Sequence, residues 1–186
     1  MEEIQKEDSV NPKKSTKRFV LELVEIVVLA FAVSWIIHTF MFEARYVPSE
    51  SMLPTIQVGD RIVVDKFFYK HFGSIERNDI VVFHSTSAMP IKDDMVKRVI
   101  GLPGDTIEIK THKVLLNGKE ISEPFILQKT VGDYGPVTVP EGSLFVMGDN
   151  RNNSDDSRDW GFLPENELVG KVILRYWPLS SFGSLS

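Results

Sequence analysis

Apolar residues run almost without a break from Phe19 to Phe42, and between Ile26 and Phe42 only Ser34, His38 and Thr39 are polar. A bilayer-spanning helix needs roughly 20 largely apolar residues, a requirement met when Glu22 and Glu25 sit at the headgroup end. The pattern predicts a transmembrane helix over residues 19–42; its competitor is a buried helix of a soluble domain. After Asp60 the periodicity changes. Short runs rich in Val, Ile and Phe, at Arg61–Asp65, Asp79–His84, Met95–Ile100, Thr106–Lys110, Ser143–Met147 and Lys171–Trp177, are separated by turn residues, which predicts strands. The sharpest local signal is Asn117-Gly118 between Lys113-Val-Leu-Leu116 and Lys119-Glu-Ile121. Asn-Gly in that setting favours a type I′ hairpin, because both central residues must take positive φ. The predicted fold is therefore mainly β, an N-terminal transmembrane helix followed by an antiparallel β-sheet domain.

Charge orients this arrangement. Lys13, Lys14, Lys17 and Arg18 precede the span, whereas Glu43 and Arg45 follow it without a basic excess, so the positive-inside rule makes residues 1–18 cytoplasmic and residues 43–186 extracytoplasmic. Ala30-Phe31-Ala32 has the look of a leader cleavage site, but the apolar run continues from Val33 to Phe42, which points to a retained anchor. The 186 residues leave room for one span and one compact domain, given domains of about 100 to 200 residues. A net charge of −5 with no basic cluster beyond the N-terminus argues against nucleic acid as a partner. The absence of cysteine removes disulfides, thiolate metal sites and cysteine nucleophiles.

Three segments carry candidate chemistry. Ser51 lies in Pro48-Ser-Glu-Ser-Met-Leu-Pro-Thr55, where two prolines keep it out of a helix interior or central strand; a hydroxyl so placed can serve a turn or, given a base, attack a carbonyl. Among possible bases, His38 falls in the span, and His71, His84 and His112 stand in no recognisable catalytic pattern, although a triad through His84 stays open. Lys97, in Met95-Val-Lys-Arg-Val-Ile100, shares its strand face with Met95 and Val99. Desolvation there favours the neutral amine, a competent base, while an edge-strand lysine with its head group in water fits the same alternation. Gly148-Asp-Asn-Arg-Asn-Asn-Ser-Asp-Asp-Ser-Arg158 is too polar for a core element. It reads as a solvated or site-forming loop, in which Asp156 and Arg158 can pair.

In this order behind a membrane span, the three motifs resemble the type I signal peptidases, and the resemblance runs from the anchor to about Pro178, with Gly59-Asp-Arg61 and Asn78-Asp-Ile-Val-Val-Phe83 also similar. It implies a serine endopeptidase in which Ser51 attacks the scissile carbonyl and Lys97 accepts its proton. Ser49 then assists the oxyanion, Ser154 orients the lysine, Asp156 and Arg158 brace the site, and Gly148 leaves room beside the base. No metal or organic cofactor is implied. The implied partners are the bilayer and the signal peptides of exported precursors, cut after Ala-x-Ala at the outer face of the cell membrane, with Tyr46, Val47 and Met52 as candidate pocket residues. Two positions depart from the family pattern: Asn152 stands where aspartate is common, and Glu50 where a small residue is frequent. The compact single-span form resembles that of Gram-positive bacteria. A penicillin-binding acyl enzyme is disfavoured because no Ser-x-x-Lys occurs; an inert, membrane-anchored β-domain that binds a partner is the competing class.

Overall fold

A computed structural model describes residues 12–87, 89 and 92–185. The predicted cytoplasmic segment 1–18 is thus described only from Pro12, and the side chains of Lys13, Lys14 and His38 lie outside the described residues. The chain divides into two compact units, 1–39 and 40–186.

The first unit is helix α1 (Pro12–Phe40). Its stretch Thr16–Ile37 has a mean hydropathy of 2.4 and is long and apolar enough to cross a membrane. At about 1.5 Å per residue that stretch is about 33 Å long, enough for a hydrocarbon core of about 30 Å. The helix stops at Phe40, two residues short of the predicted end, because Phe42 is drawn into strand pairing opposite Asp65.

The second unit is β-rich, as predicted. Its strands are β1 (Phe42–Tyr46), β2 (Arg61–Asp65), β3 (Ile80–Phe83), β4 (Met95–Gly101), β5 (Thr106–Lys110), β6 (Lys113–Leu116), β7 (Lys119–Glu120), β8 (Tyr134–Thr138), β9 (Ser143–Met147), β10 (Leu163–Pro164), β11 (Leu168–Trp177) and β12 (Gly183–Ser184), with short helices α2 (Phe68–His71) and α3 (Ser157–Trp160). One sheet has the order β1-β2-β11-β3-β4-β9-β10, with β12 added to β11; a four-stranded sheet has the order β7-β6-β5-β8. All pairings are antiparallel.

The β6–β7 hairpin turns through Asn117 and Gly118 at φ 52° and 77°, the positive values that Asn-Gly predicts. Strands β1, β8, β10 and β12 escape the sequence pattern. β1 follows the span directly, and β8 contains Gly135-Pro136 and sits at a sheet edge, where a missing N–H costs no ladder bond.

Strand β4 contributes to three core clusters at once. Met95 and Val99 enter one with Val81, Phe83 and Val146, Val96 borders a second around Met52 and Ile62, and Ile100 belongs to a third with Ile107 and Phe145. Both faces of β4 are buried, so Lys97 and its neighbour Arg98 are each taken out of water.

Candidate active site

The sequence places apolar anchors on either side of Ser51. Val47, Met52 and Ile56 are buried in one core cluster, Val47 N donates to Asp60 O at 3.0 Å, and Ile56 N donates to Met52 O at 2.9 Å. Ser49 and Ser51 are left facing out of this anchored loop, with their hydroxyl oxygens 3.4 Å apart. Of the three candidate pocket residues, Tyr46 and Val47 line the cavity beside Ser51. Met52 does not: it is 1% exposed, and its apolar side chain is better placed in the core.

Lys97, 46 residues further along the chain, brings Nζ to 2.8 Å from Ser51 Oγ. The residue is 3% exposed, and burial holds its pKa down, from 10.5 to about 8; Asp156 and Asp155 pull it upward, and Arg158 lowers it further. The snorkelling alternative is thereby excluded, since the head group does not reach water. His71, His84 and His112 are engaged elsewhere. His84 Nδ1 meets Asp94 Oδ1 at 2.7 Å, while His71 and His112 contact the carbonyls of Phe67 and Thr130.

Loop 148–158 closes the site from a third side and is a tightly bonded element, not a solvated one. Buried Asp156 accepts from Gly148 N at 3.0 Å, Ser154 Oγ at 2.8 Å and Arg158 Nε at 2.8 Å. It also caps α3, reciprocated by Asp159. Arg158 Nη2 donates to Arg151 O at 2.6 Å. The predicted Asp156–Arg158 pair is present, and the hydrogen bond of Ser154 goes to Asp156, not to Lys97. Asn150 N donates to Ser51 O at 3.0 Å, which ties the loop to the serine itself.

The two departures from the family pattern both find partners. Asn152 accepts from Val131 N at 3.0 Å and donates to Lys129 O at 3.1 Å, a two-way clamp that needs an amide, because a carboxylate can only accept. Glu50 accepts from Asn153 Nδ2 at 3.2 Å, a second tie between the loops.

A further pair at the site is not visible in the sequence. Asp149 is fully buried and receives Arg98 Nε at 2.8 Å and Arg98 Nη2 at 2.7 Å, together with Thr55 Oγ1 at 2.5 Å. The three motif segments thus meet in one buried charge cluster behind Ser51 and Lys97. A buried arginine beside the buried lysine calls for a buried anion, but the sequence separation of 51 between Arg98 and Asp149 conceals which anion it is.

Residues 20–177 match the family described as Signal peptidase, peptidase S26. The chain belongs to this family. It is accordingly a serine peptidase. It is 42% identical to signal peptidase I of Leptolyngbya laminosa, covering 89% of this chain and 83% of that protein. It is 37% identical to signal peptidase IB of Staphylococcus aureus (strain COL), covering 89% and 94%. A crystal structure of a signal peptidase I from Enterococcus faecalis matches 53% of this chain and 96% of its own, at 33% identity and a TM-score of 0.47.

Gly148 gives this S26 peptidase a direct test of the loop packing. A Cβ at that position would run into Ser154 Oγ, and would come to 2.5 Å from Ser51 O and 2.7 Å from Ser154 Cβ. The room that Gly148 leaves is therefore occupied by Ser154 and the Ser51 loop. Gly148→Ala is expected to lower kcat about 100-fold by displacing them and to destabilise the domain by about 1–3 kcal/mol, as read by peptide turnover and urea unfolding. Full activity with unchanged stability would contradict the packing described. Among the described residues, no group of three or more His, Asp or Glu side chains could hold a metal ion.

Proposed function

We propose that this chain removes signal peptides from exported precursors at the outer face of the cytoplasmic membrane, with Ser51 as nucleophile and Lys97 as general base. The observation that carries the reading is the 2.8 Å contact between Lys97 Nζ and Ser51 Oγ, made by a buried amine whose pKa lies near 8. Neutral Lys97 takes the hydroxyl proton as Ser51 Oγ bonds to the scissile carbonyl carbon. The developing oxyanion is met by the Ser51 N–H and the Ser49 hydroxyl. The C–N bond then breaks, and the Lys97 ammonium returns the proton to the leaving amine. Water attacks the resulting ester with Lys97 again accepting a proton, and ester cleavage restores Ser51. Gly148, Ser154, Asp156 and Arg158 hold this geometry.

Two open backbone edges support a peptide substrate. β1 is a sheet edge. In β4, residues 95–97 pair with β3 alone, and pairing with β9 begins only at Arg98 opposite Met147. Both edges line a cavity of about 530 Å³ that contains Ser51 and Lys97, and an extended chain can add between them as a strand. Val47, Val82, Met95 and Val96 give this cavity an apolar lining suited to the small side chains of Ala-x-Ala.

α1 serves as the anchor, with residues 1–18 inside and 43–186 outside. Eight residues lie between Phe42 and Ser51, which keeps the chemistry within about 30 Å of the bilayer surface. The full chain, purified in neutral detergent, is expected to cut a precursor at the single bond after its Ala-x-Ala signal. A folded protein that cuts no precursor would instead be the inert binding domain.

A further inference from the structure

The two walls of the cavity touch at both of its ends. At one end Lys97 meets Ser51 at 2.8 Å; at the other, Arg45 Nη1 meets Asp94 Oδ2 at 2.8 Å. Between these contacts lie Tyr46 to Glu50 on one wall and Met95 and Val96 on the other. A strand advances about 3.3 Å per residue, so a peptide beside β4 keeps step with it. With the residue before the scissile bond at Lys97, the second and third residues before the cut lie beside Val96 and Met95. The fourth and fifth then reach Asp94 and Asp93.

Charge at that far end is one-sided. Among the described lining residues Arg45 is the single cation there, and it is already shared between Asp94 and Glu43, the latter at 2.7 Å. Asp94 is held by both Arg45 and His84. Asp93 is exposed, lines the cavity and makes no ion pair among the described residues. Across the whole cavity, five lining carboxylates face two bases, Arg45 and Lys97. An acidic substrate residue arriving here meets carboxylates and a guanidinium already paired with two of them, whose one unpartnered N–H, at Nε, is buried, whereas a basic one finds Asp93 without an ion pair among the described residues.

We propose that Asp93 reads substrate charge at the fourth and fifth positions before the cut, selecting for Lys or Arg and against Asp or Glu. The inference rests on the signal peptidase reading and on the cavity holding the residues that precede the scissile bond.

The test uses full-length enzyme in neutral detergent and Ala-x-Ala peptides that carry Lys, Gln or Glu at the fourth or fifth position before the cut. In the wild type, kcat/KM should fall in the order Lys, Gln, Glu, with about fivefold between the extremes at low salt, narrowing as salt screens the charges. Asp93→Asn should flatten the order, and Asp93→Lys should invert it, each rate being taken relative to that of the Gln peptide with the same variant. If the Gln peptide is cut but Lys and Glu peptides are cut equally well, the charge-reading inference is wrong and the peptidase reading survives. If the wild type cuts none of the three, both fall together.

Discussion

Ser51→Ala and Lys97→Met are each expected to lower kcat by about 10⁴-fold or more in a precursor-cleavage assay, and the double variant is expected to be no worse than either single one. Residues that act as one unit are strongly non-additive, and the 2.8 Å contact makes Ser51 and Lys97 such a unit. A serine hydroxyl without a base is a poor nucleophile at neutral pH. No alternative base is at hand: His84 is spent on Asp94 at the far end of the cavity. Unchanged cleavage in Lys97→Met would remove lysine from the mechanism.

The pH dependence has its origin in the same buried amine. Only neutral Lys97 can accept a proton, so kcat/KM should climb about tenfold per unit below pH 8 and level off above it. A profile still rising at pH 10 would describe an ordinary exposed lysine and not this one, whose pKa lies near 8.

Stability moves in the same direction with pH, but over a higher window. The folded pKa is depressed, from 10.5 to about 8, so between those values the unfolded chain holds more protons and stability rises with pH. Below about 8 the burial cost of the ammonium is present in full, about 3 kcal/mol for a shift of this size. Lys97→Met removes that cost together with the contact to Ser51. At pH 7 the inactive variant is therefore expected to be at least as resistant to urea as the wild type, which separates loss of chemistry from loss of fold.

Much of the architecture is legible in the sequence, for reasons that can be named. Helix α1 shows because its high hydropathy is sustained over 22 residues, and the β6–β7 turn because Asn117 and Gly118 tolerate positive φ. β2, β3, β4, β5 and β9 show because their β-branched and aromatic residues crowd between turns. β1 does not, since Phe42-Glu-Ala-Arg-Tyr46 mixes charges into a half-buried edge whose outward side chains answer to the cavity rather than to a core. At the site, each motif taken alone admitted a plain structural role. Strand alternation put Lys97 among apolar neighbours but could not say that the opposite face of β4 is buried as well. The snorkelling option is removed by what covers the head group itself, Ser51 and the loop that carries Asp155, Asp156 and Arg158, both distant in sequence. The pairing of Ser51 with Lys97 followed from family resemblance alone; their 2.8 Å separation gives it a physical basis.

Asp149→Ala is expected to destabilise the domain by about 3–5 kcal/mol, the usual cost of leaving one member of a buried ion pair alone. Arg98 is inaccessible in its side chain, which is 4% exposed against 0% for Asp149, so water cannot replace the lost carboxylate. For a domain of this size, a loss of that magnitude lowers Tm by on the order of 10 °C. Activity should fall too, because Asp149 also receives Thr55 from the Ser51 loop and stands next to Asn150, whose N–H holds Ser51 O at 3.0 Å. Removing both charges separates the penalty of an orphaned cation from the worth of the pair. Asp149→Leu combined with Arg98→Met should be markedly more stable than the sum of the single losses predicts, yet should remain catalytically impaired, since neither apolar side chain can bind Thr55 and so register the Ser51 loop against β4. Additive losses in thermal unfolding would mean that Arg98 finds another partner, and recovery of wild-type turnover in the double variant would mean that the cluster serves stability alone.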